Sequence, residues 1–253
     1  MQKIFKNIIL LNKKEGETPL ESLESFRLKH AEYKNLPMTY AGRLDPMAEG
    51  LMIVLTGEEC KNKEKYLSFD KEYEFQVLFG FATDTYDILG KVTQPHRQGL
   101  WGKKELEKVL KEFLGKRKQK YPVYSSKTVD GKPLFSYARN GENVEIPEKE
   151  VEIKSLKLIK IQSIKKEKLL KNIEKRINKV KGDFRQKEII KIWKKNLNTK
   201  NVQHRVLNIA SFKVKCSSGT YVRSISNEMG EKLGIPTLAY SIKRTKIGKY
   251  SLK

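Results

Sequence analysis

Cysteine and histidine are scarce in this sequence, which has two cysteines and three histidines among 253 residues. Cys60 and Cys216 form no CxxC pair and lie far apart in the chain. This favours buried free thiols in a reducing compartment over a disulfide framework. His30, His96 and His204 have no ligand-like spacing to each other or to the cysteines. We therefore expect no metal site.

Long apolar runs and nucleotide-binding loops are also missing. The apolar run near the N-terminus, Ile8–Leu11, is far too short for the hydrophobic part of a signal peptide, and no stretch has the length of a membrane span. There is no glycine-rich phosphate loop and no dinucleotide fingerprint. The sequence thus predicts a globular, cytoplasmic protein.

Acidic residues are few relative to basic ones. Asp and Glu number 30 against 53 Lys and Arg, which gives a formal net charge of +23. Such an excess repels itself unless a polyanion offsets it. A nucleic acid is therefore the partner that this composition favours, with a lysine-rich surface that only solvates the protein as the alternative.

The segment GRLDPMAEGLMIVLTG, residues 42–57, places a single aspartate before a buried strand. The unbroken apolar run Leu51–Leu55 is typical of a strand covered on both faces. Asp45 precedes it and is followed by Pro46. Two interpretations are open: a turn aspartate that caps its own backbone, or a nucleophile at the mouth of a pocket.

Local patterns predict short strands and helices along the rest of the chain. Thr18, Pro19 and Glu21 form a capping-box pattern that predicts a helix start. Residues 73–79 alternate as in a half-buried strand, and residues 103–114 carry the apolar stripe of an amphipathic helix. Strands in runs with helices between them, without regular βαβ alternation, predict an α+β fold with a mixed sheet.

The composition changes between residues 164 and 200, where 14 Lys and Arg stand against 4 Asp and Glu. Apolar residues at helical spacing predict two amphipathic basic helices broken near Gly182. Their lysines fit a solvated face and an RNA-facing surface equally well. Beyond them we expect a strand that ends near Cys216, a helix that stops at Gly234, and a last pair of short strands in residues 240–253.

Several separated motifs resemble those of one enzyme family. They are NKKEGETPLESL, YAGRLDPMAEGLMIVLTGEECK, KEYEFQVLFGFATDTYD, KYPVYSSKTVDGKPLFSYARNGE and SSGTYVRSISNEMGEKLG. In order and context they are similar to the catalytic motifs of the TruB-type tRNA pseudouridine-55 synthases, over about residues 1–160 and 206–253. The resemblance implies the pseudouridine-synthase catalytic fold, a mixed and mainly antiparallel sheet flanked by helices.

The resemblance also implies a reaction and its catalytic residues. Members of this family detach uracil from the ribose of uridine 55 in the tRNA T loop, rotate it, and rejoin it through carbon. No cofactor is required, because no electrons enter or leave. By position in the motifs, Asp45 is the nucleophile, Tyr73 stacks on the flipped uracil, and Arg223 is the cation that pairs with the nucleophile.

Five further residues match family positions that surround the substrate. Asp87 and Tyr221 belong to the polar network of the pocket, Ile242 to an aliphatic wall against the base, and Lys13 to an N-terminal lysine. Tyr40 stands where the family has histidine, so we expect it to contact RNA with a ring but without the imidazole's hydrogen bonds.

The family comparison predicts one catalytic domain over residues 1–253, with a basic helical insertion at about 164–205 and no C-terminal PUA module. We expect a monomer that acts on tRNA without an obligatory protein partner. Three alternatives remain: a basic tRNA-binding protein or tRNA-folding chaperone without turnover, a retaining glycosidase that pairs Asp45 with Asp84 or Asp87, and a guide-RNA-dependent enzyme. The charge of +23 disfavours a neutral sugar as substrate, and a guide complex would need the PUA module.

Overall fold

In the computed structural model, residues 3–94, 101–198 and 206–252 are described. Their strands are β1 Lys3–Phe5, β2 Ile8–Lys13, β3 Met38–Ala41, β4 Ala48–Thr56, β5 Lys71–Phe79, β6 Ala82–Thr83, β7 Val92–Gln94, β8 Gly115–Lys120, β9 Thr128–Val129, β10 Lys132–Pro133, β11 Glu148–Lys165, β12 Val206–Cys216, β13 Thr237–Ile247 and β14 Tyr250–Ser251. Their α-helices are α1 Pro19–Lys29, α2 Lys63–Leu67, α3 Lys103–Lys111, α4 Leu134–Asn140, α5 Lys166–Ile177, α6 Gln186–Leu197 and α7 Val222–Leu233.

One 10-stranded sheet organises the chain, and β13 lies at its centre. The strand order is β1-β2-β4-β13-β5-β12-β11-β8, with β3 beside β4 and β14 beside β13. Only the β4–β13 pair is parallel among the strand pairs of this sheet in the described residues. At that pair, a Cβ on Gly50 would lie 2.3 Å from the Arg244 carbonyl oxygen, so the close approach requires glycine. The predicted mixed, mainly antiparallel sheet is confirmed.

Helices cover both faces of this sheet. On one face, α3 and α7 pack against inward residues of β5 and β12 such as Val77 and Phe212. On the other, α5 and α6 pack against residues such as Leu78 and Ile209. Neighbouring strand residues point to opposite faces, so Val77 and Leu78 contribute to separate cores. None of the helices in the described ranges is long and apolar enough to span a membrane.

Most of the predicted elements are present with shifted ends. Thr18 caps α1 through a reciprocal capping box with Glu21, and the two basic helices are α5 and α6 with Gly182 between them. Residues 199–205, the end of the predicted insertion, lie outside the described residues. The helix predicted over 103–114 ends at Lys111. Its last turn is lost because Gly115, at φ +91°, already begins β8.

Two predictions, one on the last strands and one on the cysteines, need correction. Of the last pair of strands only β14, with 2 residues, is short, because β13 spans 11 residues and pairs with three neighbours. The cysteines are both free, but only Cys216 is buried and Cys60 is half-buried. Cys60 lies in the 3₁₀ segment that follows β4, Gly57–Asn62, where its thiol donates to the carbonyls of Pro37 and Leu55 at 3.5 and 3.3 Å.

Candidate active site

Asp45 lies in the loop between β3 and β4, and this loop is held from behind. The Ala48 N–H donates to the Asp45 carbonyl at 3.0 Å, and the Gly16 N–H donates to the Pro46 carbonyl at 2.8 Å. The Lys13 ammonium donates to the Ala48 carbonyl at 2.6 Å and to that of Pro46 at 3.4 Å. These bonds fix the backbone on both sides of the Asp45 side chain, which remains 36% exposed.

Arg223 binds the Asp45 carboxylate in a bidentate ion pair. Its Nε donates to Oδ2 at 2.7 Å and its Nη2 donates to Oδ1 at 3.1 Å. The same guanidinium donates to the carbonyls of Thr85 at 2.7 Å and Tyr124 at 3.1 Å. Burial lowers the pKa of Arg223, but the carboxylates of Asp45 and Asp87 outweigh burial and the net change is upward. The guanidinium is therefore a permanent cation whose geometry is set from three segments.

The bidentate contact disfavours the backbone-capping interpretation of Asp45, and its role as a nucleophile stays a prediction. Both carboxylate oxygens accept hydrogen bonds from Arg223 rather than capping the backbone of the turn. Arg223 is only 3% exposed and is the second residue of α7, where the helix end also favours an anion. A carboxylate that is fixed by a buried cation and open on its other side is suited to act as a nucleophile.

Asp87 is a second carboxylate that faces the same guanidinium. Its Oδ2 lies 3.9 Å from Arg223 Nε, and its Oδ1 accepts from the Thr85 hydroxyl at 2.7 Å and the Leu89 N–H at 2.9 Å. Burial raises the pKa of Asp87 to about 6, although Arg223 and Thr85 oppose this. At neutral pH Arg223 is thus shared between one buried and one open carboxylate.

The open side of Asp45 faces a cleft of about 780 Å³. Tyr73, Tyr221 and Ile242 all line it, as the sequence motifs predict. Burial raises the pKa of Tyr73 and raises that of Tyr221 to about 12. Both hydroxyls therefore keep their protons at neutral pH and can donate hydrogen bonds to a bound group. The cleft combines aromatic and aliphatic walls with a fixed carboxylate at one end.

Four of the predicted site residues do not line this cleft, namely the buried Arg223 and Asp87 together with Tyr40 and Lys13. Tyr40 lines a neighbouring cavity of about 310 Å³, together with Leu23 and Met38. The two cavities have three lining residues in common, Gly42, Arg43 and Leu67. Lys13 is fully buried beneath the Asp45 loop, where burial lowers its pKa to about 8. The structure therefore places Lys13 against the loop backbone rather than in the cleft.

Arg244 is a residue of the cleft that the sequence motifs did not predict. It is 2% exposed and lies opposite Tyr73 in the β13–β5 register. Its guanidinium donates to the Leu51 carbonyl at 2.7 Å and to the carbonyls of Arg43 and Gly42 at 3.3 and 3.2 Å. Since strand residues two apart share a face, the predicted position of Ile242 could have indicated it.

Lys71, at the start of β5, is another basic residue of the cleft that the sequence analysis did not single out. Its ammonium donates to the carbonyls of Leu67 and Phe69, both at 2.6 Å. Burial lowers the pKa of Lys71 to about 8, and the residue lines the same cleft as Asp45. Lys71 and Arg244 give the cleft wall a positive charge beyond that of Arg223.

Asp84, which the glycosidase alternative pairs with Asp45, is instead bound by Arg185 at 2.9 Å and by the Lys91 N–H at 2.7 Å.

No cluster of three or more potential metal ligands is formed by the described His, Cys, Asp and Glu residues. His96 and His204 lie outside the described residues.

Comparison with solved structures identifies the architecture as the pseudouridine-synthase catalytic fold. The crystal structure of a Cbf5–Nop10–Gar1 complex contains a chain that superposes with a TM-score of 0.58 at 17% identity. The match covers 98% of this chain and 50% of that one. At this identity the similarity establishes the fold alone.

Comparison of sequences assigns the family. Residues 31–184 match the model of the TruB family pseudouridylate synthase, N-terminal domain. The chain is 32% identical over 214 residues to tRNA pseudouridine synthase B of Caldanaerobacter subterraneus, covering 85% of this chain and 60% of that protein. It is 31% identical over 242 residues to the protein of the same name in Lactobacillus acidophilus, covering 95% and 68%. The chain belongs to the TruB family and spans about two thirds of the length of these relatives.

Proposed function

We propose that this chain is a tRNA pseudouridine synthase that isomerises uridine 55 of the T loop, with Asp45 as the nucleophile. The observation that carries the proposal is the Asp45 carboxylate, held by Arg223 at 2.7 and 3.1 Å at the edge of an aromatic-walled cleft. The names of the relatives in Caldanaerobacter subterraneus and Lactobacillus acidophilus support tRNA as the substrate.

The proposed reaction suits the groups of the cleft. The glycosidic C1′–N1 bond of uridine breaks and a C1′–C5 bond to the same ribose forms, while C5 loses a proton and N1 gains one, so atoms and electrons balance within the substrate and no cofactor is consumed. A stacked uridine cannot reach Asp45, and the nucleotide must flip out at a cost of a few kcal/mol. A buried aromatic wall can offset part of that cost by stacking on the extruded base.

The remaining residues have roles in this proposal that follow from their places. Tyr73 stacks on the uracil and presents a protonated hydroxyl, and Ile242 and Tyr221 close the walls of the cleft. Asp87 orients Arg223. Tyr40, in the adjoining cavity, contacts RNA that flanks the flipped nucleotide.

We further propose that Lys13 acts on the substrate through the Asp45 loop, because its ammonium binds the Ala48 carbonyl at 2.6 Å. Lys13 is fully buried, and its charge lies beneath the loop. A buried cation in that position holds the nucleophile's backbone and adds to the positive potential behind Asp45.

We propose that a single copy of the chain acts on tRNA in the cytoplasm, as one catalytic domain without an obligatory protein partner. Its net charge of +23 supports a polyanionic substrate. Sedimentation of the protein alone and with one equivalent of tRNA measures the stoichiometry. A 1:1 complex is expected, and a dimer that alone binds tRNA would contradict a single active copy.

The basic helices α5 and α6 supply part of the proposed tRNA surface. Lys168, Lys171 and Lys175 are exposed on one side of α5. Cations in such a row neutralise phosphates and release counterions, so binding weakens as salt rises.

Changing these three lysines to glutamate should weaken tRNA binding and flatten its salt dependence. The log–log slope should change by about 0.7–0.9 for each phosphate that is no longer neutralised. The matched control is Lys104, Lys108 and Lys111 of α3, which are also exposed. Equal losses of affinity in the two triple variants would assign the effect to net charge instead of to α5.

The test of the catalytic proposal compares wild type with Asp45→Asn on an unmodified tRNA transcript. Pseudouridine is mapped by carbodiimide labelling and primer extension, and tRNA binding is followed in parallel. We expect wild type to modify one T-loop uridine and the variant to bind tRNA without modifying it, because the amide is no nucleophile.

Two outcomes would contradict the proposal. Modification by Asp45→Asn at the wild-type rate would remove Asp45 from the nucleophile role. Tight binding by wild type with every uridine unchanged would favour a tRNA-binding protein or folding chaperone. The first outcome would contradict the role of Asp45 but not tRNA pseudouridylation. The second would leave only the proposal of a tRNA-binding surface.

A further inference from the structure

Arg185, the residue that caps the start of α6, reaches from the helical pair towards the active site. Its Nη1 donates to Asp84 Oδ2 at 2.9 Å and to the Tyr124 hydroxyl at 2.8 Å. Its guanidinium carbon lies 4.5 Å from the centre of the Tyr124 ring. Arg185 and Asp84 are each only 20% exposed. This is a desolvated, three-residue contact, unlike the exposed lysines of the same helices.

The two partners of Arg185 belong to the segments that hold the catalytic ion pair. Asp84 lies in residues 82–91, which supply the Thr85 carbonyl to Arg223 at 2.7 Å. Tyr124 lies in residues 121–127, and its own carbonyl accepts from Arg223 at 3.1 Å. Arg185 therefore contacts both of the segments whose carbonyls bind the guanidinium of Arg223.

The backbone of Arg185 supports a specific role for its side chain. The residue has a φ of +63°, in the left-handed region that side chains other than glycine rarely adopt. Its N–H donates to Asp183 Oδ1 at 3.1 Å, which stabilises this conformation. Glycine would adopt the same backbone without strain. An arginine kept in such a position points to a function for its guanidinium.

We propose that Arg185 is a positioning residue for catalysis, which couples the basic helical pair to the Arg223–Asp45 ion pair through Asp84 and Tyr124. The inference rests on the proposed function, because its consequence is measured as turnover. Displacing either segment moves a carbonyl acceptor of Arg223, and small displacements of catalytic groups reduce the rate of the chemical step. Binding of tRNA depends less on Arg185, since its guanidinium is occupied by Asp84 and Tyr124.

The test uses Arg185→Gly in the full-length chain. Glycine removes the guanidinium and also relieves the left-handed backbone, so the variant is expected to fold. The matched control is Arg117→Ala, since Arg117 and its partner Glu228 are each 21% exposed, as buried as Arg185 and Asp84. Arg117 binds Glu228 and lies over the Phe113 ring, and both of these residues are outside the two segments.

We expect kcat of Arg185→Gly to fall about 10-fold with KM and tRNA affinity within about 2-fold of wild type, and Arg117→Ala to keep its kcat. Arg185→Lys should recover only part of kcat, because an ammonium cannot bind both partners as the planar fork does. Asp84→Asn added to Arg185→Gly should cost less than the sum of the two single changes.

Amide hydrogen exchange provides a readout that does not require turnover. Residues 82–91 and 121–127 should both exchange faster in Arg185→Gly than in wild type or Arg117→Ala. An unchanged kcat, or unchanged exchange in the two segments, would overturn the positioning role. A loss of tRNA affinity equal to the loss of kcat/KM would overturn it in favour of a direct RNA contact. Wild type without turnover would contradict the proposed function, and exchange would still decide whether Arg185 orders the two segments.

Discussion

Two buried arginines, one on each face of the central sheet, each bind a carboxylate, and the two pairs have different surroundings. Arg223 of α7 binds Asp45 at 2.7 and 3.1 Å. On the α5 side, Arg176 binds Glu15 Oε2 at 2.8 and 2.6 Å and also donates to the Tyr240 carbonyl at 2.7 Å. The carboxylate of Asp45 is 36% exposed, whereas that of Glu15 is 13% exposed.

The difference lies in how completely each carboxylate is enclosed. Glu15 also accepts from Lys179 at 3.2 Å, so two cations surround it. Burial raises the pKa of Glu15, but the hydrogen bonds and charges of Arg176 and Lys179 outweigh burial and lower it. Asp45 has one cation, which it shares with Asp87, and keeps an open side towards the cleft. The enclosed pair of Arg176 and Glu15 joins elements of the fold. The Asp45 carboxylate, which is open on one side, can react with a bound group.

The largest expected effect is on turnover at Arg223. Arg223→Lys loses the bidentate geometry and the bonds to two carbonyls, so kcat should fall by about 10²–10³-fold. Arg176→Lys makes the same chemical change in the enclosed pair and should leave kcat of the folded protein unchanged. Single-turnover rates with tRNA measure both. Equal losses in the two variants would show that the comparison fails.

The second effect is on stability at Glu15. Glu15→Gln removes one partner of a buried pair and leaves Arg176 uncompensated, so the free energy of unfolding should fall by about 3 kcal/mol. Turnover per folded molecule should not change, because Glu15 does not line the cleft. Urea denaturation at pH 7 measures the difference. A variant with wild-type stability and reduced kcat would place Glu15 among the catalytic groups instead.

The smallest effect is the pH dependence of the free energy of unfolding. It has opposite signs for the carboxylates of Glu15 and Asp87. The pKa of Glu15 is lowered on folding, so its stabilising contribution is present above its unfolded pKa and disappears as the pH falls through the folded value. The pKa of Asp87 is raised to about 6, so the folded state binds its proton more tightly. The stability of wild type relative to Asp87→Asn should therefore decrease by roughly 2 kcal/mol as the pH rises from about 4 to about 6.5.

Urea denaturation over that pH range tests both signs in one series. Relative to Glu15→Gln, wild type should lose its advantage towards the acid end. Relative to Asp87→Asn, it should lose its advantage towards neutral pH. If the difference in stability between wild type and Asp87→Asn did not change with pH, the attraction of Arg223 would fully offset the burial of the Asp87 charge.

Local patterns predicted the elements whose residues interact along the chain. The capping box needs only Thr18 and Glu21, three residues apart, and it is present. The apolar run Leu51–Leu55 needs only its own sequence to indicate a strand covered on both faces, and all of it is buried in β4. The motifs that carry the family resemblance also bring Tyr73, Tyr221 and Ile242 to one cleft.

Long-range contacts of charged residues could not be predicted in this way. Arg185 and Asp84 are 101 residues apart, and Arg176 and Glu15 are 161 apart. Nothing local distinguishes these arginines from their solvated neighbours in a basic helix. For the same reason Arg244 of β13 was not predicted. In the sequence it resembles a surface residue, and only the fold brings the carbonyls of Gly42, Arg43 and Leu51 around it. Tyr40 was predicted to contact RNA, and its place in the adjoining cavity could not be predicted because the motif gives order along the chain and not depth.

The central place of β13 has a consequence for how the chain folds during its synthesis on the ribosome. The strands β1, β2, β3 and β4 on one side, and β5, β12, β11 and β8 on the other, are joined within the sheet only through this strand in the described part of the chain. A nascent chain that has not yet released residues 237–247 from the exit tunnel therefore holds two unfinished half-sheets. Completion of the sheet therefore waits until β13 has emerged, and it is limited by long-range pairing. The cleft lies at that seam, so catalytic competence should arrive last.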